Sequence, residues 1–525
     1  MLHSEPRSPS DVDATRIDVV LVAILLLALA FRLYRIDAPF IDAHSWRQVT
    51  NADIARHFAD GSLNIFEPRV SWGGRDGLVG MEFPLLQWLT GLVWRVASES
   101  AALARTVAIA FSVFSVWLLY VLGARLFGWP AGRAAAFFMA VSPGVVFFGR
   151  SLLSDTPMLT FSIAAVLAWD IYFERGHARW AWWGATATAL AGLVKLPAIL
   201  VLAPIVGLAW SRRRLRAFRD VKLIVGIAGA MLVVAGWYLY ADSIYQRTGL
   251  TQAVFRPSST YPPDIAPGVV FTPVSHWATR DRVLSLDFWS VMVDRMWGLF
   301  LTPYGFLAAM VGFAIAFRRS HGVSVHLWAL AGFMLLVVAA EGQYWHEFHT
   351  LPLVLPLILY AGVAAAPLFD GRAMAGHTRL GRWTIAAVVA SALVFVSIQT
   401  FRGSGALRYL YRLQEPDVVF LSAGEAVRSM TEDAPLITVD YEQIGTNSPM
   451  MLYFARRQGW SFDGNSISAH VIEHLRSTKG ARYFVTTCWL TLRDRKPDVV
   501  EYLSRYRVIA PPKSWPDDYR VVDLR

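Results

Sequence analysis

Residues 17–36 read Ile-Asp-Val-Val-Leu-Val-Ala-Ile-Leu-Leu-Leu-Ala-Leu-Ala-Phe-Arg-Leu-Tyr-Arg-Ile. A helix needs about 20 predominantly apolar residues to cross the hydrocarbon core of a bilayer, and this run is long enough. Ala28-Leu-Ala30 looks like a signal-peptidase site, but the run continues through Leu33-Tyr34, so an uncleaved first helix is expected. The segment that follows, Asp37-Ala-Pro-Phe-Ile-Asp42-Ala-His44-Ser-Trp46-Arg47-Gln48, is acidic and aromatic. Asp42 is thereby expected beside the membrane surface, in reach of lipid headgroups. A carboxylate there suits chemistry on a lipid-borne substrate, although a lone loop Asp is more often simply solvated.

Similar runs recur along the chain. Of its 525 residues, 55% are hydrophobic and only 17% charged, against about 25% charged in a soluble globular protein. The chain reads as a polytopic membrane protein. Its net charge of +10 is then explained by basic cytoplasmic loops, not by a nucleic-acid partner. A single cysteine, Cys488, excludes an intrachain disulfide and a paired-cysteine metal site. No glycosylation sequon occurs at Asn51, Asn64, Asn447 or Asn465, which suits a bacterial plasma membrane.

The densest basic stretch is Ser-Arg-Arg-Arg-Leu-Arg-Ala-Phe-Arg-Asp-Val-Lys at 211–222, and it is expected inside. Counting spans between this and the smaller basic loops predicts about eleven, near 17–36, 104–126, 131–149, 157–174, 179–195, 197–211, 223–241, 298–317, 325–341, 351–368 and 383–402. The N-terminus then lies in the cytoplasm and the C-terminus outside. Segment 45–60 is expected to form a helix with Ile54 and Phe58 on one face. Segment 83–97, opening at Pro84, reads as a second helix lying in the outer interface. Segment 242–297 reads as an outer binding loop or lid. After residue 402 strand and helix patterns alternate: strands at 435–440, 481–487, 506–510 and 519–524, helices at 448–458, 468–477 and 498–505. The expected fold is therefore mainly α: a polytopic transmembrane helical bundle over 1–402 with juxtamembrane helices, and a small extracytoplasmic α/β domain over 403–525. That domain carries no phosphate loop, zinc spacing or nucleophile elbow.

The topology gathers Asp42, Glu82, Arg105, Arg150, Asp155, Lys195, His346, Glu347 and His349 on or near the outer face. Around them stand Pro39-Phe-Ile-Asp42, Glu82-Phe83-Pro84-Leu85, Ala104-Arg105, Arg150-Ser-Leu-Leu-Ser-Asp155-Thr-Pro157, Gly192-Leu-Val-Lys195-Leu-Pro197 and His346-Glu-Phe-His349-Thr-Leu-Pro352. This ordered set resembles the GT-C superfamily of polytopic membrane glycosyltransferases, in its ArnT-like and protein O-mannosyltransferase-like branch. The resemblance covers nearly the whole membrane part. It implies transfer of a sugar from a polyprenyl-phosphate donor to a lipid, cell-envelope glycan or protein acceptor on the outer face.

In that family the first-loop Asp is the leading candidate for the general base, or for orienting a metal or the acceptor. Many members carry an acidic pair there, where this chain has Asp42-Ala43. His44 or Asp155 would have to supply any second function, so a divalent metal is possible but its ligands are unknown. Asp42 and Asp155 are the catalytic candidates. Arg105, Lys195 and His349 are the candidates for the donor phosphate, where cations stabilise the leaving charge. His44, Arg47, Gln48, Glu82, Arg150, His346 and Glu347 are candidates for binding sugar or acceptor. Blander readings stand beside these. Arg105 could snorkel to headgroups and Lys195 could be an interfacial anchor. His346 and His349 could be a metal pair lacking a clear third ligand, or polar loop residues. Trp237 and Tyr238 read as interfacial belt aromatics and Met450-Met451 as core. The competing function is a transporter or flippase of lipid-linked sugars, whose site would lie near the bilayer midplane. A sensor with an outer ligand-binding domain would leave the outer-face cluster unexplained.

Overall fold

In a computed structural model, residues 18–252, 277–370, 391, 397, 405–412, 415–441, 448–510 and 515–525 are described. The chain forms two compact units. The first comprises Met1–Ile36, Arg105–Ala235 and Val274–Leu410; the second comprises Asp37–Ala104, Gly236–Pro273 and Tyr411–Arg525. Residues 411–525 thus share a unit with the first loop.

The first unit is an all-helical bundle. Helix Asp155–Arg175 turns at Gly176, in the left-handed conformation at φ 74°, and packs back through Ala178–Val194. Helix Leu351–Ala365 packs against both Thr302–Ala316 and Trp129–Val141. Helix Leu202–Arg213 packs on Gly322–Val338, where Ser324 donates to the carbonyl of Pro204 at 3.1 Å.

The expectation of about eleven spans is not met. Among the described residues, five helical stretches are long and apolar enough to cross a membrane: Ala101–Phe127, Asp155–Arg175, Leu196–Arg219, Val221–Thr248 and Glu347–Phe369. A sixth arises if the pair Leu286–Phe300 and Thr302–Ala316, bent by 106°, is one span. The apolar runs are there, but the backbone interrupts or shortens them. The run expected at 131–149 breaks at Ser142, whose ψ of 119° leaves the helix before Pro143 starts a new turn. The remaining 13-residue helix Trp129–Val141 rises only about 20 Å. The run at 298–317 breaks where Thr302 adopts φ 61°. Val19–Leu33 has 15 residues, Ala178–Val194 has 17 and Gly322–Val338 has 17. Most of the span expected at 383–402, and residues 253–276 of the expected outer loop, lie outside the described residues.

The second unit is built on helix Ser45–Asp60, which buries Ile54 and Phe58 as its spacing predicts. Helix Leu85–Ala97 lies against it through Gln87, which donates to Asn51 at 2.8 Å, and through Gly91. A Cβ on Gly91 would meet the Ala55 carbonyl at 2.7 Å, so this approach requires glycine. The C-terminal portion forms a five-stranded sheet in the order β2-β1-β3-β5-β4. The strands are β1 (Leu436–Asp440), β2 (Gly459–Asp463), β3 (Tyr483–Thr486), β4 (Arg507–Val508) and β5 (Arg520–Asp523). The first three pair in parallel, joined through helices Met450–Ala455 and Ala469–Lys479, and β5 is antiparallel to β3 and β4. Ile437, Val439, Phe462, Ile472, Leu475, Phe484, Leu503 and Val522 fill its core. The helix expected over 448–458 stops at Ala455, because Arg456 turns left-handed at φ 52°, and β2 begins at Gly459.

Candidate active site

Both units carry members of the predicted set. In the first unit, Asp155 opens helix Asp155–Arg175 and is 2% exposed. Lys195 stands where helix Ala178–Val194 ends and the backbone becomes extended. Its Nζ donates to both carboxylate oxygens of Asp155 at 2.7 Å. The same Nζ lies 4.7 Å from the centre of the Phe348 ring. The ammonium is thus held between a carboxylate and an aromatic face, a geometry in which a desolvated cation gains from both. Sequence proximity does not announce this pair, whose members are 40 residues apart.

Arg105 and Arg150 are each fully buried. Arg105 Nη1 donates to the Ile36 carbonyl and Arg150 Nη1 to the Arg35 carbonyl, both at 3.1 Å. Arg105 is therefore drawn into the protein and does not snorkel outward. The two guanidiniums fasten successive carbonyls at the end of the first apolar run. His346 stacks on Phe348 at 5.3 Å, and His349 lies edge-on to both rings. Gln343 fixes the turn by donating to the His349 carbonyl at 3.0 Å and accepting from Thr350 at 3.1 Å. Glu347 pairs with Arg295 at 3.7 Å.

In the second unit, Asp42 is 1% exposed, and its Oδ1 accepts from Gln48 Nε2 at 2.7 Å. The same amide nitrogen donates to the Ala43 carbonyl at 3.0 Å. His44 caps helix Ser45–Asp60 in the left-handed conformation, with φ 57° and ψ 32°, and its carbonyl accepts from the Gln48 amide. Gln48 thus closes the loop that presents Asp42. Arg47 lies over the Trp46 ring at 5.0 Å. Glu82 is half-buried ahead of helix Leu85–Ala97. Trp237, read as a belt residue, is 6% exposed and donates to the Met81 carbonyl at 3.0 Å.

Further along helix Ser45–Asp60 is a polar cluster that the sequence did not single out. Asp53 accepts from the Ser71 amide and hydroxyl, both at 2.6 Å. His57 Nε2 lies 3.2 Å from the same hydroxyl; burial pushes its imidazole below its ordinary pKa, against the opposing pull of Asp53. Arg56 forms a two-pronged pair with Glu99 at 3.0 and 2.7 Å. Arg456 and the Tyr453 hydroxyl also donate to Glu99, at 2.6 and 2.8 Å. Burial alone would raise the Glu99 carboxyl; the arginines and the hydroxyl bring it below its ordinary value.

Two further buried charges in the first unit were also missed. Arg32 is fully buried and donates to Ser112 at 2.7 Å and to the carbonyls of Ala28, Ala140 and Met139. Asp170 accepts from Arg125 at 2.6 Å and from Arg212 at 3.0 Å. The available signal was a lone charge inside an apolar run, Phe31-Arg32-Leu33 and Trp169-Asp170-Ile171. Among the described residues no three His, Cys, Asp or Glu side chains are grouped to hold a metal ion.

A family model described as dolichyl-phosphate-mannose-protein mannosyltransferase matches residues 82–240. No curated protein matches the sequence. Among solved structures, apo ArnT from Cupriavidus metallidurans aligns over 96% of this chain and 97% of its own, with a TM-score of 0.63 and 14% identity. The oligosaccharyltransferase AglB from Archaeoglobus fulgidus, in complex with an inhibitory peptide and a dolichol-phosphate, aligns over 96% of this chain and 76% of its own, with a TM-score of 0.54 and 12% identity. An A. fulgidus oligosaccharyltransferase in complex with Zn and sulfate aligns over 93% and 71%, with a TM-score of 0.55 and 13% identity. At these identities the likeness is one of fold. The chain shares its fold with these structures.

Proposed function

We propose that this chain is a multi-pass membrane glycosyltransferase that moves a sugar from a polyprenyl-phosphate donor to a lipid, glycan or protein acceptor on the extracytoplasmic face of a bacterial plasma membrane. The observation that carries this reading is the set of buried cations Arg105, Arg150 and Lys195, all within the stretch matched by the mannosyltransferase family model. Ionisable residues buried in a membrane protein mark substrate or ion pathways, and a lipid phosphate is an anion that such cations suit. The dolichol-phosphate held by the fold neighbour AglB supports the same donor class.

Asp42 takes the proton of the acceptor hydroxyl as its oxygen attacks the anomeric carbon. The bond from that carbon to the phosphate oxygen breaks, and the polyprenyl phosphate leaves with its charge met by Arg105, Lys195 and His349. Asp155 holds Lys195 for that task. His44, Arg47, Gln48, Glu82, Arg150, His346 and Glu347 bind the sugar and the acceptor. The basic stretch 211–222 faces the cytoplasm and the C-terminal α/β portion the opposite side.

The test is turnover of a lipid-linked sugar in sealed vesicles of known sidedness. Asp42→Asn keeps the shape and removes the base, so turnover falls ~100- to 10,000-fold while donor binding survives. Near-wild-type turnover in the folded variant removes Asp42 from the chemistry. Passage of the donor across the bilayer with its sugar still attached identifies a transporter instead. Product formed only from acceptor on the cytoplasmic side reverses the orientation.

A further inference from the structure

Helix Ser45–Asp60 carries the Asp42 loop at its start and is tied down at its other end by the C-terminal portion of the chain. Two ties do this, and both lie within the second unit. The first runs through Asp53. That carboxylate fixes Ser71, whose carbonyl accepts from the Gly459 amide at 2.9 Å, while the Gly74 amide donates to the Gly459 carbonyl at 2.8 Å. Residues 71–74 therefore pair with the outer edge of β2. Gly459 has no room for a side chain, since a Cβ there would lie 1.9 Å from the Leu436 carbonyl.

The second tie runs through Arg56. Its guanidinium lies 3.7 Å over the Tyr453 ring, donates to the Tyr453 carbonyl at 2.7 Å, and grips Glu99 with both prongs. Tyr453 and Arg456, on and just after the helix that leads into β2, complete the cluster from the other side. Gln48 and Arg56 are separated by about 12 Å along the helix axis, a little over two turns. A helix fixed at both Asp53 and Arg56 has little freedom left to tilt, so its first turn, and the Gln48 amide that holds Asp42, is fixed as well.

We propose that the C-terminal α/β portion sets the position of the catalytic base: Glu99, Arg56 and Asp53 act as positioning residues for Asp42, through helix Ser45–Asp60 and Gln48. The proposal rests on the reading of Asp42 as the base. It gives the appended sheet a role in turnover. None of the three residues need touch substrate. A base displaced by about 1 Å can lose on the order of 100-fold in rate, so a modest loosening of the helix is readable.

The experiment is a double-mutant cycle in the full-length protein reconstituted in lipid. Glu99→Gln keeps the shape and removes the charge that Arg56, Arg456 and Tyr453 grip. It is expected to lower kcat about 10-fold or more, leave KM for the lipid donor unchanged, and add nothing further in an Asp42→Asn background. Tyr453→Phe, which removes one hydroxyl, is the milder second variant should Glu99→Gln not fold, and is expected to show the same pattern at smaller amplitude. Unchanged kcat in a folded variant overturns the proposal. So does a loss that multiplies with that of Asp42→Asn, because the cluster would then act independently of the base. Full turnover in Asp42→Asn alone overturns the role of Asp42, and the proposal with it.

Discussion

Asp155 and Asp170 lie on one helix, both are shut away from solvent, and their partners differ in kind. Asp155 meets one ammonium, that of Lys195, with the Phe348 face behind it. Asp170 meets two guanidiniums, Arg125 and Arg212, and Arg125 reaches on to Glu174 at 2.7 Å. The neighbouring Asp220 is bound in the same manner by Arg213 and the Tyr172 hydroxyl. A guanidinium fork fits a carboxylate in a fixed plane and gives up little freedom per bond; an ammonium is a compact point charge on a flexible stem. One end of the helix is therefore clamped. The other carries a cation that can turn toward a second anion without dismantling its surroundings. Chemistry is expected at the second end and rigidity at the first.

That contrast can be broken most directly at Asp170. Asp170→Ala takes the buried carboxylate shared by the half-buried Arg125 and Arg212 out of the pair, and the loss of one partner of a fully buried ion pair costs up to about 3–5 kcal/mol. A large fall in the denaturation midpoint in detergent is expected, with turnover per folded molecule little changed. A stable but inactive Asp170→Ala protein would erase the distinction between the two ends.

Next comes Lys195. Removing a donor that meets developing negative charge costs about 100- to 1,000-fold in rate, and Lys195→Ala is expected to fall in that range. Lys195→Arg should recover little, since a fork locked onto Asp155 would not turn to the phosphate. Full activity in Lys195→Arg, measured with the lipid donor at saturation, would show that the ammonium's freedom is irrelevant.

The smallest effect sharpens the comparison from the second unit. Glu99 is gripped by two arginines as Asp170 is, and its carboxyl is held below the ordinary value of 4.5. A carboxylate with a depressed folded pKa contributes stability that is present above its unfolded pKa and lost as pH falls through the folded one. Stability should therefore decline below about pH 4.5 in the wild type. Glu99→Gln should lose that part of the pH dependence. Equal slopes in both proteins, followed by tryptophan fluorescence, would place Glu99 outside the stabilising set.

What could be read in the sequence follows from range. Local signals were legible: the helix at 45–60 from Ile54 and Phe58, the start at Pro84, and strands β1, β3 and β5 from their apolar residues. Apolar composition identified helices but not their continuity. Ser142 and Thr302 take backbone angles that composition does not encode, and with the short helices they reduce the span count. Strand β2 was missed because Trp-Ser-Phe follows a helix after only Arg456-Arg457-Gln458, the first of them left-handed, with no proline between. Candidate residues were chosen by type and position, which found Asp155 and Lys195 but not their pairing. Asp53 and Glu99 were passed over because each sits in a segment of ordinary polarity; Arg32 and Asp170 stand as lone charges in apolar runs, a signal that gives no partner.

The bond from Arg56 to the Tyr453 carbonyl joins residues 397 positions apart. A ribosome adding ~5–20 residues per second needs roughly 20 to 80 s to cover that interval. During that time helix Ser45–Asp60 is already made, and the arginine, the aspartate and the edge-pairing segment that follow it have no sheet to meet. The first loop must wait in an unfinished state, its backbone edge open to pairing with other chains. Completion of this unit is therefore an event at the end of synthesis. A chain released before residue 453 would carry the Asp42 loop on a helix held by Leu85–Ala97 but not by the sheet.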